Sequence, residues 1–183
     1  MDGTLVTNGV AFKTSYFERL ADCRWSDIAV SLDGPTEDIN DAIRSNGSFE
    51  RATENFRNIK QLRDEKGLDG PSCSIHVTCT RLNCDKLDQM VELAHELGFD
   101  TVTSATLNDA GPHCAPYMLT EEQRARLPEY IQRAKDRAQE LGVSVRLDDL
   151  LLDGSASCSF GPLHDSLFRN AICFEPWMSF SVH

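Results

Sequence analysis

The chain has 183 residues with 18 basic and 29 acidic side chains, a net charge of −11, and is long enough for one domain with a sizeable core. No basic stripe interrupts the acidic surface, which repels phosphate backbones and argues against nucleic-acid binding. No apolar run approaches the roughly 18 residues of a bilayer span, and no basic segment with an apolar signal core opens the chain, so no membrane role and a cytoplasmic address are expected. Seven cysteines, an odd number, fit buried small hydrophobes or metal ligands better than disulfides in a reducing compartment.

A first strand over Thr4–Thr7 leads to a short helix that Thr14 can cap, with Tyr16, Phe17 and Leu20 on its apolar side and an end near Cys23. The run Asp27–Ser31 is a second strand, closed by the turn residues Gly34 and Pro35. Thr36, followed by Glu37 and Asp38, marks the start of a helix running toward Arg44. Ser48 then caps a longer helix to about Lys66, whose buried stripe is Phe49, Ala52, Phe56, Ile59 and Leu62. Cys73–Thr80 is a third strand in which Ile75, Val77 and Cys79 alternate with Ser74, His76 and Thr78, the mark of two unlike faces.

Asn83 or Asp85 begins the next helix, which presents Leu87, Met90, Val91, Ala94 and Leu97 on one side and ends at Gly98. Thr101–Thr106 is a fourth strand. After a loop through Gly111 and Pro116, Thr120-Glu121-Glu122-Gln123 forms a capping box, and Pro128 is expected to kink or restart the helix that follows. Val143–Leu147 makes a last strand. From about Asp148 the chain is richer in Ser, Gly and Pro and reads as an irregular tail.

Strands alternating with helices of this length argue for an α/β fold with βαβ crossovers and a parallel sheet. About five strands do not close a barrel that needs eight, so a parallel-stranded partial (βα) barrel is expected.

Several motifs then fall in a recognisable order. Thr7-Asn8-Gly9 ends the first strand; Ser31-Leu32-Asp33-Gly34-Pro35 ends the second; Ile43-Arg44 closes a helix; Gly47-Ser48-Phe49-Glu50 opens the next. Together they resemble the middle of a radical S-adenosylmethionine (radical SAM) enzyme. Cys173-Phe174-Glu175-Pro176-Trp177 resembles the start of the SPASM or twitch extensions that carry auxiliary iron–sulfur clusters. The CxxxCxxC loop that holds the 4Fe-4S cluster of that family has no counterpart among the seven cysteines.

The resemblance divides the chain into a partial radical SAM barrel over 1–147 and a linker with the start of a SPASM/twitch-like segment over 148–183. It implies that Ser31 and Asp33 sit at SAM-contacting strand ends, that Arg44 binds the SAM carboxylate through its planar fork, and that Thr7, Asn8, Thr78 and Asn83 line the same cofactor site. Beside these stand plainer readings: Asp33 and Ser31 organising a turn, Arg44 a surface cation at a helix end, Asn83 a helix cap. Cys173 is the one expected metal ligand, for an auxiliary cluster. His76 and His95, each without a second ligand at metal spacing, read as structural.

The expected function is a portion of a radical SAM enzyme whose complete form binds a 4Fe-4S cluster and SAM and generates a 5'-deoxyadenosyl radical for hydrogen abstraction from a peptide or small-molecule substrate. The chain alone, without the cluster motif, is expected to be inactive and to hold neither cofactor stably; Met1 would be an internal methionine of a longer reading frame or the gene truncated. The alternative is a catalytically silent βα binding or partner module. An exposed sheet edge at Thr4–Thr7 is expected to favour self-association.

Overall fold

The computed structural model describes residues 3–107, 112 and 114–151. Cys158, His113 and the expected auxiliary-cluster signal around Cys173 lie outside these residues.

Five strands form one parallel sheet: β1 (Thr4–Thr7), β2 (Asp27–Ser31), β3 (Ser72–Cys79), β4 (Thr101–Thr106) and β5 (Ser144–Arg146), in the spatial order of the sequence. Between them run α1 (Thr14–Asp22), α2 (Glu37–Ile43), α3 (Ser48–Lys66), α4 (Leu87–Leu97) and α5 (Glu121–Leu141). A sheet in which each strand simply adds beside the last places its helices in a single layer, and α1 packs on α3, α3 on α4 and α4 on α5. This is the partial (βα) barrel expected from the alternation of elements.

Strand alternation gives the sheet two different faces. One carries Ile28, Val30, Cys73, Ile75, Val77 and Val102, all buried, against Phe17, Phe56, Ile59, Met90, Val91, Ala94, Leu97, Ile131 and Ala134 of the helices. Phe56 stacks on Phe12 at 5.6 Å and meets Phe99 at 4.8 Å, extending this layer past the sheet ends. The other face, corresponding to a barrel interior, carries Ala29, Ser31, His76, Thr78, Thr101 and Thr103, all only half-buried. Register aligns Ser31 with His76 and His76 with Thr103 across this inner face.

Several helix starts differ from the sequence expectation. Lys13, not Thr14, holds the cap position of α1, and Thr14 is its first helical residue. Ser48 is likewise inside α3, behind Gly47 in the left-handed region. The missing cap comes from α2: the Asp41 carboxylate accepts hydrogen bonds from Gly47 N, from Phe49 N at 3.0 Å and from the Ser48 hydroxyl at 2.9 Å. Burial pushes the Asp41 carboxyl up, but the bonds from Asn40, Phe49, Ser48 and Gly47 outweigh it and hold it below the usual range.

A 3-10 turn over Cys84–Lys86 precedes α4, so the chain enters that helix later than Asn83 or Asp85. At α5 the Thr120–Gln123 capping box forms as expected, while the helix neither stops nor restarts at Pro128. Leu127, Tyr130 and Ile131, buried on both sides of the proline, keep the two halves on one apolar stripe, and that packing outweighs one lost backbone bond. The strand boundaries shift by a residue at β3 and at both ends of β5. Residues Asp148–Leu151 form a further 3-10 turn with Leu150 buried. No helix among the described residues is long and apolar enough to cross a membrane.

Candidate functional site

Parallel strands expose unpaired backbone groups where they end, and the ends of β2 and β3 are tied together by two side chains. Asp33, 3% exposed, accepts a bond from Thr78 N at 2.7 Å through Oδ1 and faces Arg44 Nε at 2.8 Å through Oδ2. Asn83, wholly buried, donates from Nδ2 to the carbonyls of Asp33 at 2.7 Å and Thr78 at 2.9 Å, while its Oδ1 accepts from Thr80 N at 2.7 Å. The Asn83 carboxamide therefore cross-ties strand ends and makes no cap bond to the helical turn it precedes.

Beside this tie opens a polar cleft of about 360 Å³, lined by Asn8, Ser31, Leu32, Asp33, Asn40, Ile43, Arg44, Ser45 and Ser48. Four residues expected from the sequence, Asn8, Ser31, Asp33 and Arg44, thus meet in one place. Thr7, Thr78 and Asn83 lie outside that lining and act on its walls. The Thr7 hydroxyl accepts from Gly9 N at 3.1 Å and Asn8 Oδ1 from Val10 N at 3.1 Å, which shapes the turn after β1. Gly9 has φ +76°, and a Cβ there would stand 3.1 Å from Ala52 Cβ and 3.2 Å from Phe56 and Val30. Gly34 is required by proximity: a Cβ there would collide with the backbone of Asn40.

Arg44 is the charged feature of the cleft. Its side chain is 26% exposed. Asp33 engages it through Nε, which leaves the two terminal guanidinium nitrogens without a protein partner among the described residues. A guanidinium fixed at one end and free at the other is preorganised for a carboxylate or phosphate oxygen. Asn40, Ser45 and Ser48 were not singled out as site residues by sequence. Asn40 receives Asp33 N on its Oδ1 at 3.0 Å and donates to Ser48 Oγ at 2.9 Å, so it sets the cleft floor. A signal was present in the short spacing between the strand end and two successive helix starts.

Deeper on the inner face, His76 Nδ1 lies 2.9 Å from Thr103 Oγ1. Burial lowers its pKa, with Asp33 pulling the other way and Arg44 pushing it further down. Lower still, burial raises the Asp27 carboxyl against the opposing effects of Ser74 and Arg146.

Burial pushes the thiols of Cys73 and Cys79 up to about 12 and raises that of Cys84. These are protonated, covered sulfurs, and among the described residues no group of three or more His, Cys, Asp or Glu is placed to hold a metal ion. The described residues therefore do not fit an iron–sulfur cluster. The cleft's hydroxyl, amide and guanidinium groups do fit a polar, carboxylate-bearing organic ligand.

Comparison with known proteins bears first on class. SuiB of Streptococcus suis bound to S-adenosylmethionine superposes on 79% of this chain and 32% of its own length, with TM-score 0.59 and 16% identity. Native anSMEcpe with bound AdoMet superposes on 78% of this chain and 39% of its own length, with TM-score 0.56 and 15% identity. At that identity the likeness is one of fold. No family model matches the chain.

In sequence, the chain is 38% identical over 92 residues, 50% of its length, to mycofactocin maturase MftC of Mycobacterium tuberculosis. It is 35% identical over an equal length to the MftC of Mycolicibacterium smegmatis. The match spans about a fifth, 22%, of the length of these curated relatives. The likeness in sequence is thus to maturases over half of this chain, and the likeness in fold is to chains solved with S-adenosylmethionine.

Proposed function

We propose that the chain is a working part of a radical SAM enzyme and supplies one wall of its SAM site, at the C-terminal ends of β1, β2 and β3. The observation that carries this reading is the convergence of Asn8, Ser31, Asp33 and Arg44 on one polar cleft. Arg44, oriented by Asp33, takes the carboxylate of SAM; Ser31 and Asn8 offer hydrogen bonds to its hydroxyl and amino groups. Thr7, Thr78 and Asn83 fix the backbone that carries them. The SAM-bound neighbours of the same fold support the ligand, and the maturase similarity supports the superfamily.

The complete protein would pair this wall with a 4Fe-4S cluster held by residues other than those described, and would use SAM to generate a 5'-deoxyadenosyl radical. SuiB has been solved with its precursor peptide SuiA, with TM-score 0.52 to this chain. This supports a peptide as the substrate of the complete protein. An auxiliary cluster at Cys173 and a division near residue 147 belong to the same reading.

Amide resonances followed through a SAM titration test it. Asn8, Ser31 and Arg44 should shift together, and Arg44→Lys should weaken binding roughly tenfold, because a single ammonium cannot hold Asp33 and a ligand carboxylate in one plane. If these residues stay still while SAM reaches millimolar concentration, the proposal fails and the silent βα module becomes the better description.

A further inference from the structure

We propose that His76 is a ligand-positioning residue whose Nε2 accepts a hydrogen bond from an O–H or N–H group of the molecule seated over the inner face. The inference rests on the reading that this end of the sheet faces a ligand, and it adds which chemistry the ligand must present there.

One proton decides the state of the ring. Thr103 Oγ1 lies 3.3 Å from the carbonyl of Ile75 and 2.9 Å from His76 Nδ1. A hydroxyl donates once. Both contacts are hydrogen bonds only if Thr103 donates to Ile75 O and receives the proton of Nδ1–H. That assignment fixes the ring as the Nδ1–H tautomer and leaves a lone pair on Nε2. Register then says where the ring sits: β3 places His76 between Ser31 of β2 and Thr103 of β4, on the half-buried face.

Nε2 has no partner among the described residues, yet it is not one of the buried side-chain polar atoms left unpartnered, of which Ser104 Oγ is the single example among them, so it is open to solvent. This open acceptor is outside the lining of the cleft but stands one strand from Ser31, which is in it, and its preference is the opposite one. Arg44 selects an anionic oxygen; His76 selects a neutral donor and disfavours a second carboxylate or phosphate. Burial and the Arg44 guanidinium both keep the imidazole uncharged, which preserves the acceptor at neutral pH. Asp33 is the acidic group opposing them, and Thr103, Ser31 and Thr78 are the uncharged neighbours on the inner face.

The test uses the chain with its histidines labelled with nitrogen-15, and SAM as the probe because its ribose hydroxyls and amino groups are donors. Without ligand, Nδ1 should carry the proton and Nε2 should resonate as a bare ring nitrogen. On adding SAM, Nε2 should move with the same concentration dependence as the Ser31 and Arg44 amides.

His76→Phe should weaken SAM about fivefold, the worth of one ordinary hydrogen bond, and His76→Gln, which retains an acceptor, should recover part of it. Amide spectra of both variants should match wild type away from β3. A protonated Nε2, or movement of Ser31 and Arg44 without movement of Nε2, overturns this inference and leaves the SAM site standing. If none of the three moves, the inference and the proposed function fall together.

Discussion

Replacing Asn83 by alanine isolates the tie between the ends of β2 and β3. Asn83 is wholly buried and makes three bonds, two as donor to Asp33 O and Thr78 O and one as acceptor from Thr80 N. At roughly 1 kcal/mol net for each bond, the substitution should cost about 3 kcal/mol. That is a large share of the roughly 5–15 kcal/mol that holds a domain together. At roughly 2–4 °C per kcal/mol for a chain of this size, the melting temperature should fall by about 6–12 °C.

Urea and thermal unfolding followed by circular dichroism measure the change, and Asn83→Asp distinguishes the tie from a helix cap. A cap accepts Asp as readily as Asn and loses only about 1 kcal/mol as Ala. A tie tolerates Asp poorly, because the carboxylate loses both donors and confronts two carbonyl oxygens. A loss below about 1 kcal/mol for the alanine variant, or a neutral Asn83→Asp, would refute this account of the strand ends.

Gly9→Ala should destabilise by about 2 kcal/mol, because at φ +76° the added Cβ would meet Ala52, Phe56 and Val30 at 3.1–3.2 Å; chemical denaturation checks it, and a neutral result refutes the close approach. Under native conditions a thiol reagent should modify the exposed Cys23 and leave Cys73, Cys79 and Cys84 untouched until the chain unfolds, with modified peptides located by mass spectrometry. Stability should decline as pH falls below about 6.5, where the unfolded chain protonates His76 before the native state does, and should level off beneath the lowered native pKa. His76→Gln should flatten that limb. Because β1 pairs with β2 alone among the described residues and exposes Val6, sedimentation should show concentration-dependent association that Val6→Lys reduces; ideal monomer behaviour at all concentrations counts against it.

The periodic elements were legible because burial imposes them. The β2 boundaries, the α3 stripe and the Thr120–Gln123 box each follow from local spacing, and the sheet order follows from adding one βα unit after another. What failed locally was decided by packing rather than by the capping or breaking residue itself: Ser48 is not the cap of α3 because Asp41 reaches across from α2, and Pro128 lies inside α5 because Leu127, Tyr130 and Ile131 are all buried around it.

The site shows a deeper ambiguity. Where parallel strands stop, their N–H and C=O groups lose ladder partners, and short polar side chains must complete them or hand them to a ligand. Asp33 and Asn83 have the right chemistry for either task, and composition alone cannot separate the two. Geometry assigns Asn83 to the backbone and divides Asp33 between Thr78 N and Arg44.

The more telling sequence signal was Ser74-His76-Thr78 on one strand. A parallel strand buried on both faces would be apolar throughout, so a polar row on β3 marks a face unlike the core, half-buried at His76 and Thr78 and closed over at Ser74. The same row explains why an acceptor such as His76 can remain unpartnered without penalty: water or a ligand, not the core, faces it. On the proposed reading, Arg44 at the end of α2 would receive an anion and His76 on β3 a neutral donor, and the pair would discriminate by the order of groups along a ligand, which neither residue would achieve alone.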